Sequence, residues 1–206
     1  MKCRPLTREE SRDQTRQHLL ESALAAFMKN GFTATSVQSI ASAAGYTRGA
    51  FYSNFHDKPE LLLELLRRDH ESMRGDLSAI FGKLSSCEAM EACILHFYGK
   101  LHRENTRSLL WIEAKLLAVR DVHFRARFNT LTQEQLAQLG DCIREFSTRV
   151  GTPLILPADT LAIGLMALHD GVQFFHMLAP LKATESVMQS VLTGFFAQAV
   201  FFHRSE

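Results

Sequence analysis

Between Thr35 and Asn54 the chain carries two helical patterns that are each too short to stand alone. The first, "TSVQSIASAAG", puts Val37, Ile40, Ala41 and Ala44 on one face, with Thr35 read as its cap and Gln38 at the reciprocal position of a capping box. Gly45 ends it, and a second pattern runs from Thr47 to about Asn54. An isolated helix needs about 12–15 residues to persist in water, so both must lean on something longer. That support precedes them. Arg8 to Asn30 repeats Leu19, Leu20, Ala23, Leu24, Phe27 and Met28 at helical spacing, with Thr7 and Glu10 framing its entry and Asn30-Gly31 its stop. Asp57 then caps a long helix that tolerates Pro59 and favours Glu60 in its first turn and is expected to reach about Ile80. Two short helices around a glycine-centred turn, packed on a longer one, form a helix-turn-helix unit.

Within that unit the run "GYTRGAFYSNF", residues 45 to 55, divides by face. Phe51 and Phe55, four apart, point inward, whereas Thr47, Arg48, Tyr52 and Asn54 are left to face outward. Gly49 removes a side chain where another backbone or a groove could approach, and the free N–H groups of the helix start suit a phosphate. Charge points the same way. The net charge is only +1, yet residues 1–56 hold seven Lys or Arg against four acids, net +3, and residues 57–206 hold 16 against 18, net −2. A polyanion is expected to meet the front end alone.

The remainder reads as helix near 86–102, 105–119, 122–150, 157–179 and 183–203, with no convincing strand, so the fold class is all-α. With 206 residues, 46% of them apolar and 22% charged, the chain can bury a sizeable core. "TLAIGLMALHDGVQFFHML" and "VMQSVLTGFFAQAVFF" are apolar nearly all round and need cover on several sides. A second copy of the chain would cover one side, with Leu161, Gly164, Leu168, Gly171, Gly194, Phe195 and Phe202 in a two-fold seam. Rings and polar groups inside apolar runs are the candidates for a small-molecule pocket: His96, Phe97, Trp111, Glu113, His169, Gln173, Phe174 and His176.

Several chemistries find no support in the residues. His169 and His176 share a face but lack a third ligand, and Cys3, Cys87, Cys93 and Cys142 have no metal-ligand spacing, so no metal is expected. Reduced thiols are the simple reading, with a Cys87–Cys93 redox pair as the alternative. No nucleophile elbow, phosphate loop or zinc-protease motif occurs, which argues against an enzyme and against a cofactor. No uncharged apolar run approaches the ~18 residues of a membrane helix, and the charged start "MKCRPLTREE" leads into no apolar signal core. A cytoplasmic protein with no membrane partner is expected.

The run "GFTATSVQSIASAAGYTRGAFYSNFHDKPEL" resembles the DNA-binding domain of TetR-family transcriptional regulators, in "GFTATSVQSIA", in "AG" followed by "TRGAFYSNF", and in Lys58 just inside the next helix. The resemblance covers roughly residues 10 to 66. It implies a DNA-binding domain over 1–56 and a helical effector-binding and dimerisation domain over 57–206. It places Thr47, Arg48, Gly49 and Tyr52 on a recognition helix and Gln38 within reach of a base. It also puts Thr35, Ser36, Tyr52, Asn54 and Lys58 at phosphate-contacting positions. One departure stands out, since His is common in the family where this chain has Asn54. The implied function is a homodimeric repressor that binds palindromic double-stranded operator DNA and is released by a small, largely apolar effector. Two alternatives share the fold: a helical sensor that does not bind DNA, and a DNA binder switched by thiol oxidation or metal. The long helix from Asp57 is expected to carry the signal, as the element that joins the two halves continuously.

Overall fold

The computed structural model describes residues 7–81, 105–151 and 153–200. Among the described residues there are eight helices: α1 (Arg8–Asn30), α2 (Val37–Ala43), α3 (Arg48–Tyr52), α4 (Lys58–Phe81), α5 (Asn105–Arg120), α6 (Val122–Val150), α7 (Ala158–Leu178) and α8 (Glu185–Val200). The all-α expectation holds. The helix expected over 86–102, the cysteines other than Cys142, and His96, Phe97 and Phe202 lie outside the described residues.

The ends of α1 are written locally. Thr7 Oγ1 accepts from the Glu10 N–H at 3.2 Å, and the Glu10 carboxylate accepts from the Thr7 N–H at 2.6 Å, a complete capping box. The Thr7 N–H, helped by the Thr7 hydroxyl, holds the Glu10 carboxyl below its ordinary range. At the other end Gly31 takes φ +80, a backbone conformation that side chains with a Cβ resist. Between the caps, Leu19, Leu20, Ala23 and Phe27 form the buried stripe.

The start of α2 differs from expectation by one residue. Its cap is Ser36, which accepts from the Ser39 N–H at 3.0 Å while Ser39 returns the bond to the Ser36 N–H at 3.1 Å. Thr35 is only 3% exposed and donates its hydroxyl to the Gly31 carbonyl at 2.7 Å. It closes the preceding loop on itself, so Ser36 is the first hydroxyl free to cap. Helix α2 ends in a Schellman arrangement, with Tyr46 N–H bonded to Ala41 O at 2.8 Å and Gly45 N–H to Ser42 O at 3.1 Å. Gly45 sits at φ +78, and Thr47 Oγ1 then caps α3 by accepting from the Ala50 N–H at 3.2 Å.

These seven- and five-residue helices stand because they are packed. Ile40, Ala41, Phe51, Phe55, Leu61, Leu62 and Leu66 are all buried, and the Phe51 and Phe55 rings lie 5.7 Å apart. Arg16 of α1 lays its guanidinium over Phe55 at 4.1 Å, donates to the Asn54 carbonyl at 2.7 Å and pairs with Glu64 at 3.4 Å. Asp57 caps α4 through the Glu60 N–H at 2.6 Å, as expected.

The chain forms two compact units, and a single cut does not separate them. Described parts of residues 1–69 and 106–128 make the first, whereas those of 70–105 and 129–206 make the second. Helix α5 therefore belongs with the helix-turn-helix. Trp111 Nε1 donates to Asp69 at 2.8 Å, Ala114 and Ala118 are buried, and Trp111 meets Phe128 edge-on at 6.1 Å. In the second unit α7 packs against α8. Leu161, Ala162, Leu165 and Gln173 bury one stripe of α7, and Met188 and Leu192 bury one of α8. Arg144 of α6 bridges Asp141 at 2.6 Å and Asp159 of α7 at 2.7 Å.

Candidate nucleic-acid interface

Around the two helix starts, Ser36, Gln38, Thr47, Arg48, Gly49 and Tyr52 are exposed. Arg48 reaches along α3 to Tyr52, with its guanidinium 5.5 Å from the ring centre and Nη2 3.3 Å from the hydroxyl. It makes no ion pair among the described residues. Tyr52 is 48% exposed and seats one ring edge on buried Phe51 at 5.4 Å, so an apolar base holds a polar tip outward. Gln38 donates to Ser42 at 3.1 Å and remains at the surface. A Cβ at Gly49 would meet only Thr47 Oγ1, at 3.6 Å. Nothing inside the protein requires glycine there, and what its missing side chain provides is room for an outside surface.

Three residues expected at phosphate contacts make hydrogen bonds within the chain. Thr35 is buried, with its hydroxyl committed to the Gly31 carbonyl. Asn54 turns its amide back onto the Ala50 carbonyl at 2.8 Å, with its Oδ1 buried and without a partner. One of its two Nδ2 hydrogens is thereby committed within the chain. Lys58 Nζ donates to the Phe32 and Thr35 carbonyls, both at 2.6 Å, and lies 4.3 Å from the Phe32 ring centre. One of its three donors is left for anything else. Burial pulls the Lys58 ammonium below its ordinary range, against the opposing pull of Glu113.

Glu113 makes a contact that sequence reasoning did not foresee. A carboxylate within the apolar run "LLWIEAKLL" reads as a pocket group. It accepts from the Phe32 N–H at 2.8 Å, in the turn between α1 and α2. Trp111, also expected in the pocket, is hydrogen-bonded to Asp69 in the same unit. The separation of 81 residues between Phe32 and Glu113 explains why no local signal could have revealed the pair.

In the second unit, His169, Gln173 and His176 do fall on the inward side of α7, and Phe174 does not, being exposed. Gln173 is 4% exposed, and neither its Oε1 nor its Nε2 has a hydrogen-bond partner. His176 Nδ1 lies 2.7 Å from the Ala183 carbonyl, which makes Nδ1 the protonated nitrogen. Of the residues expected in a two-fold seam, Gly194 and Phe195 are exposed and Gly164, Leu168 and Gly171 are half-buried. Leu161, 5% exposed, belongs to the core stripe and is not available to a seam. The apolar side chains left exposed are Ile163, Phe174, Phe175 and Leu178 on α7 and Val187, Val191 and Phe195 on α8. By length and composition α7 is also long and apolar enough to cross a membrane, and that apolarity is divided between its buried and exposed stripes.

A helix-turn-helix head with an exposed Arg-Gly-x-x-Tyr surface, followed by long helices, defines the class of helical DNA-binding regulators. Residues 19–65 match the family model of bacterial regulatory proteins of the tetR family. The HTH-type transcriptional regulator AcrR of Shigella flexneri is 48% identical over 59 residues, 29% of this chain and 27% of that protein. The chain matches the curated relatives over about a quarter to a third of their length. Two solved structures share the fold along nearly the whole chain. A transcriptional regulator from Saccharomonospora viridis in complex with choline has TM-score 0.74 at 20% identity, covering 93% of this chain and 100% of that one. The SmeT–triclosan complex has TM-score 0.71 at 20% identity, covering 92% and 93%. SmeT is the repressor of a Stenotrophomonas maltophilia multidrug efflux pump. These relatives are regulators, not enzymes.

Proposed function

We propose that the protein is a dimeric transcriptional repressor that reads a palindromic operator through α3 and is released by a small, largely apolar effector bound in its second unit. The observation that carries this reading is the exposed Arg48, unpaired with any carboxylate among the described residues and mounted beside Gly49 on a capped helix. A guanidinium so placed is matched to the O6 and N7 of guanine in a major groove. Thr47, Gly49 and Tyr52 complete the α3 surface, Gln38 approaches a base from α2, and Ser36 meets a phosphate at the α2 start.

A palindrome requires two heads, and the exposed apolar residues of α7 and α8 supply the means. Ile163, Phe174, Leu178, Val187, Val191 and Phe195 fit a second copy of the same two helices better than they fit water. The effector reading is supported by Gln173, a buried amide whose hydrogen-bonding groups lack partners among the described residues. Triclosan on SmeT and choline on the Saccharomonospora regulator show that neighbours of this fold take small molecules. The cell compartment that follows is the cytoplasm, where the DNA is.

The test begins with selection of duplexes from a random library by the full-length protein. Enrichment of an inverted repeat, bound as a dimer and lost in Arg48→Ala, is the expected result. Recovery of unenriched sequence would leave a helical sensor that does not regulate through DNA.

A further inference from the structure

We propose that Glu113 is a positioning residue for the DNA-reading head, through which α5 sets the placement of α2 and α3. This rests on the reading of those two helices as the DNA surface. The peptide groups of the α1–α2 turn are held from two directions. Glu113 of α5 takes the Phe32 N–H at 2.8 Å, while Lys58 of α4 takes the Phe32 and Thr35 carbonyls at 2.6 Å each. Thr35 immediately precedes Ser36, the cap of α2. A seven-residue helix has little stability of its own, so its direction follows from what fixes its start. Helix α3 is tied to the end of α2 by the Gly45 and Tyr46 hydrogen bonds. A displacement at Phe32 is thereby delivered to Ser36, Gln38 and Arg48.

The turn is built to receive this carboxylate. A Cβ at Gly31 would lie 2.8 Å from Glu113 Oε1, closer than side chains approach, and Gly31 also holds φ +80. Glycine there gives both the turn and the space. An apolar side chain at position 113 would leave the part-buried Phe32 N–H without its acceptor. A carboxylate that accepts a backbone N–H and faces an ammonium fixes orientation as well as distance. The expectation that α4 alone transmits a signal is thus widened: α5 also holds the head, by a side chain rather than by chain continuity.

The experiment compares full-length wild type with Glu113→Gln, which keeps an acceptor, and Glu113→Ala, which keeps none. The probes are the palindromic duplex selected by the wild type and a random duplex of equal length, read by fluorescence anisotropy at one salt concentration. Glu113→Ala is expected to weaken the palindrome about 5–150-fold, the usual span of coupling between sites, and the random duplex less than about twofold. Glu113→Gln should fall between. Hydrogen exchange at the Phe32 amide should accelerate in Glu113→Ala and stay slow in Glu113→Gln. Gly31→Ala, which crowds Oε1, should lose palindrome affinity too, and lose less of it in the Glu113→Ala background. Equal losses on both duplexes, or an unchanged Phe32 amide, would overturn the inference while leaving the regulator reading intact. Failure of the wild type to select any palindrome would remove that reading itself, and the inference with it.

Discussion

Arg48→Ala separates recognition from folding, because the side chain does almost nothing for the fold. It is exposed, has no ion pair among the described residues, and touches Tyr52 through one 3.3 Å hydrogen bond and a 5.5 Å cation–ring contact at the surface. Surface substitutions of that kind alter stability by no more than about 0.5 kcal/mol, so the melting temperature should hardly move. On DNA the accounting is different. A bidentate contact to guanine is worth about 1–3 kcal/mol, and a dimer on a palindrome makes two, so the complex should lose about 2–6 kcal/mol. At about 1.4 kcal/mol per tenfold, the dissociation constant rises by about thirtyfold to 10⁴-fold. Arg48→Lys keeps the charge and loses the fork, and should recover little of that on the selected palindrome while binding random duplex nearly as the wild type does. Anisotropy titrations with both duplexes at two salt concentrations decide the matter. Should Arg48→Ala weaken random and selected duplex equally, with a lower salt slope, Arg48 contacts phosphate and the base-reading argument is wrong.

Other consequences of the geometry can be tested alongside. Ser36→Ala should cost about 1 kcal/mol as the loss of a cap, and Thr35→Val about 1–3 kcal/mol because the Gly31 carbonyl is left without its donor; urea titration showing Ser36→Ala as stable as the wild type would remove Ser36 as the cap. Lys58→Met should lower stability by a similar amount, since two carbonyls lose an ammonium, and change the salt slope of DNA binding by less than about 1; a fall of about 2 per dimer would return Lys58 to the phosphate backbone. If α7 and α8 form the proposed dimer seam, Phe174→Asp and Val191→Asp, both exposed in the single chain, should yield folded monomers in sedimentation; Leu161→Asp should instead unfold the protein, and an intact dimer in both exposed variants would move the seam. The Asp121 carboxyl is held below its ordinary value mainly by the Phe124 N–H, so its contribution is complete above the unfolded value near 4 and is lost as pH falls through the lower folded value. Asp121→Asn should therefore flatten the acid side of a melting curve between about pH 5 and 2, and an unchanged curve would show that the carboxylate contributes nothing there.

What the amino-acid sequence by itself determined is the part that local chemistry controls. The Thr7–Glu10 box, the stops at Gly31 and Gly45, the cap at Asp57, and the inward pairing of Phe51 with Phe55 involve residues a few positions apart, so their spacing carries the information. The helix-turn-helix and the exposed Arg48-Gly49 surface followed from those signals alone. The cap of α2 marks the edge of that reach. "TSVQS" permits either Thr35 or Ser36 to cap, and only the burial of Thr35 beneath Gly31 selects Ser36. Asn54 and Lys58 show the same limit, since a polar side chain near a presumed DNA surface can equally turn back to a carbonyl. Tertiary structure alone decided the rest. The bond of Glu113 to Phe32, 81 residues away in sequence, and that of Trp111 to Asp69 have no local signal. Helices α7 and α8 read as apolar all round, and which stripe faces the core, with Leu161 inside and Phe174 outside, depends on how the two pack together. A sequence records the period of a helix, but the partner on each face is set by contacts between distant segments, and no local pattern encodes those.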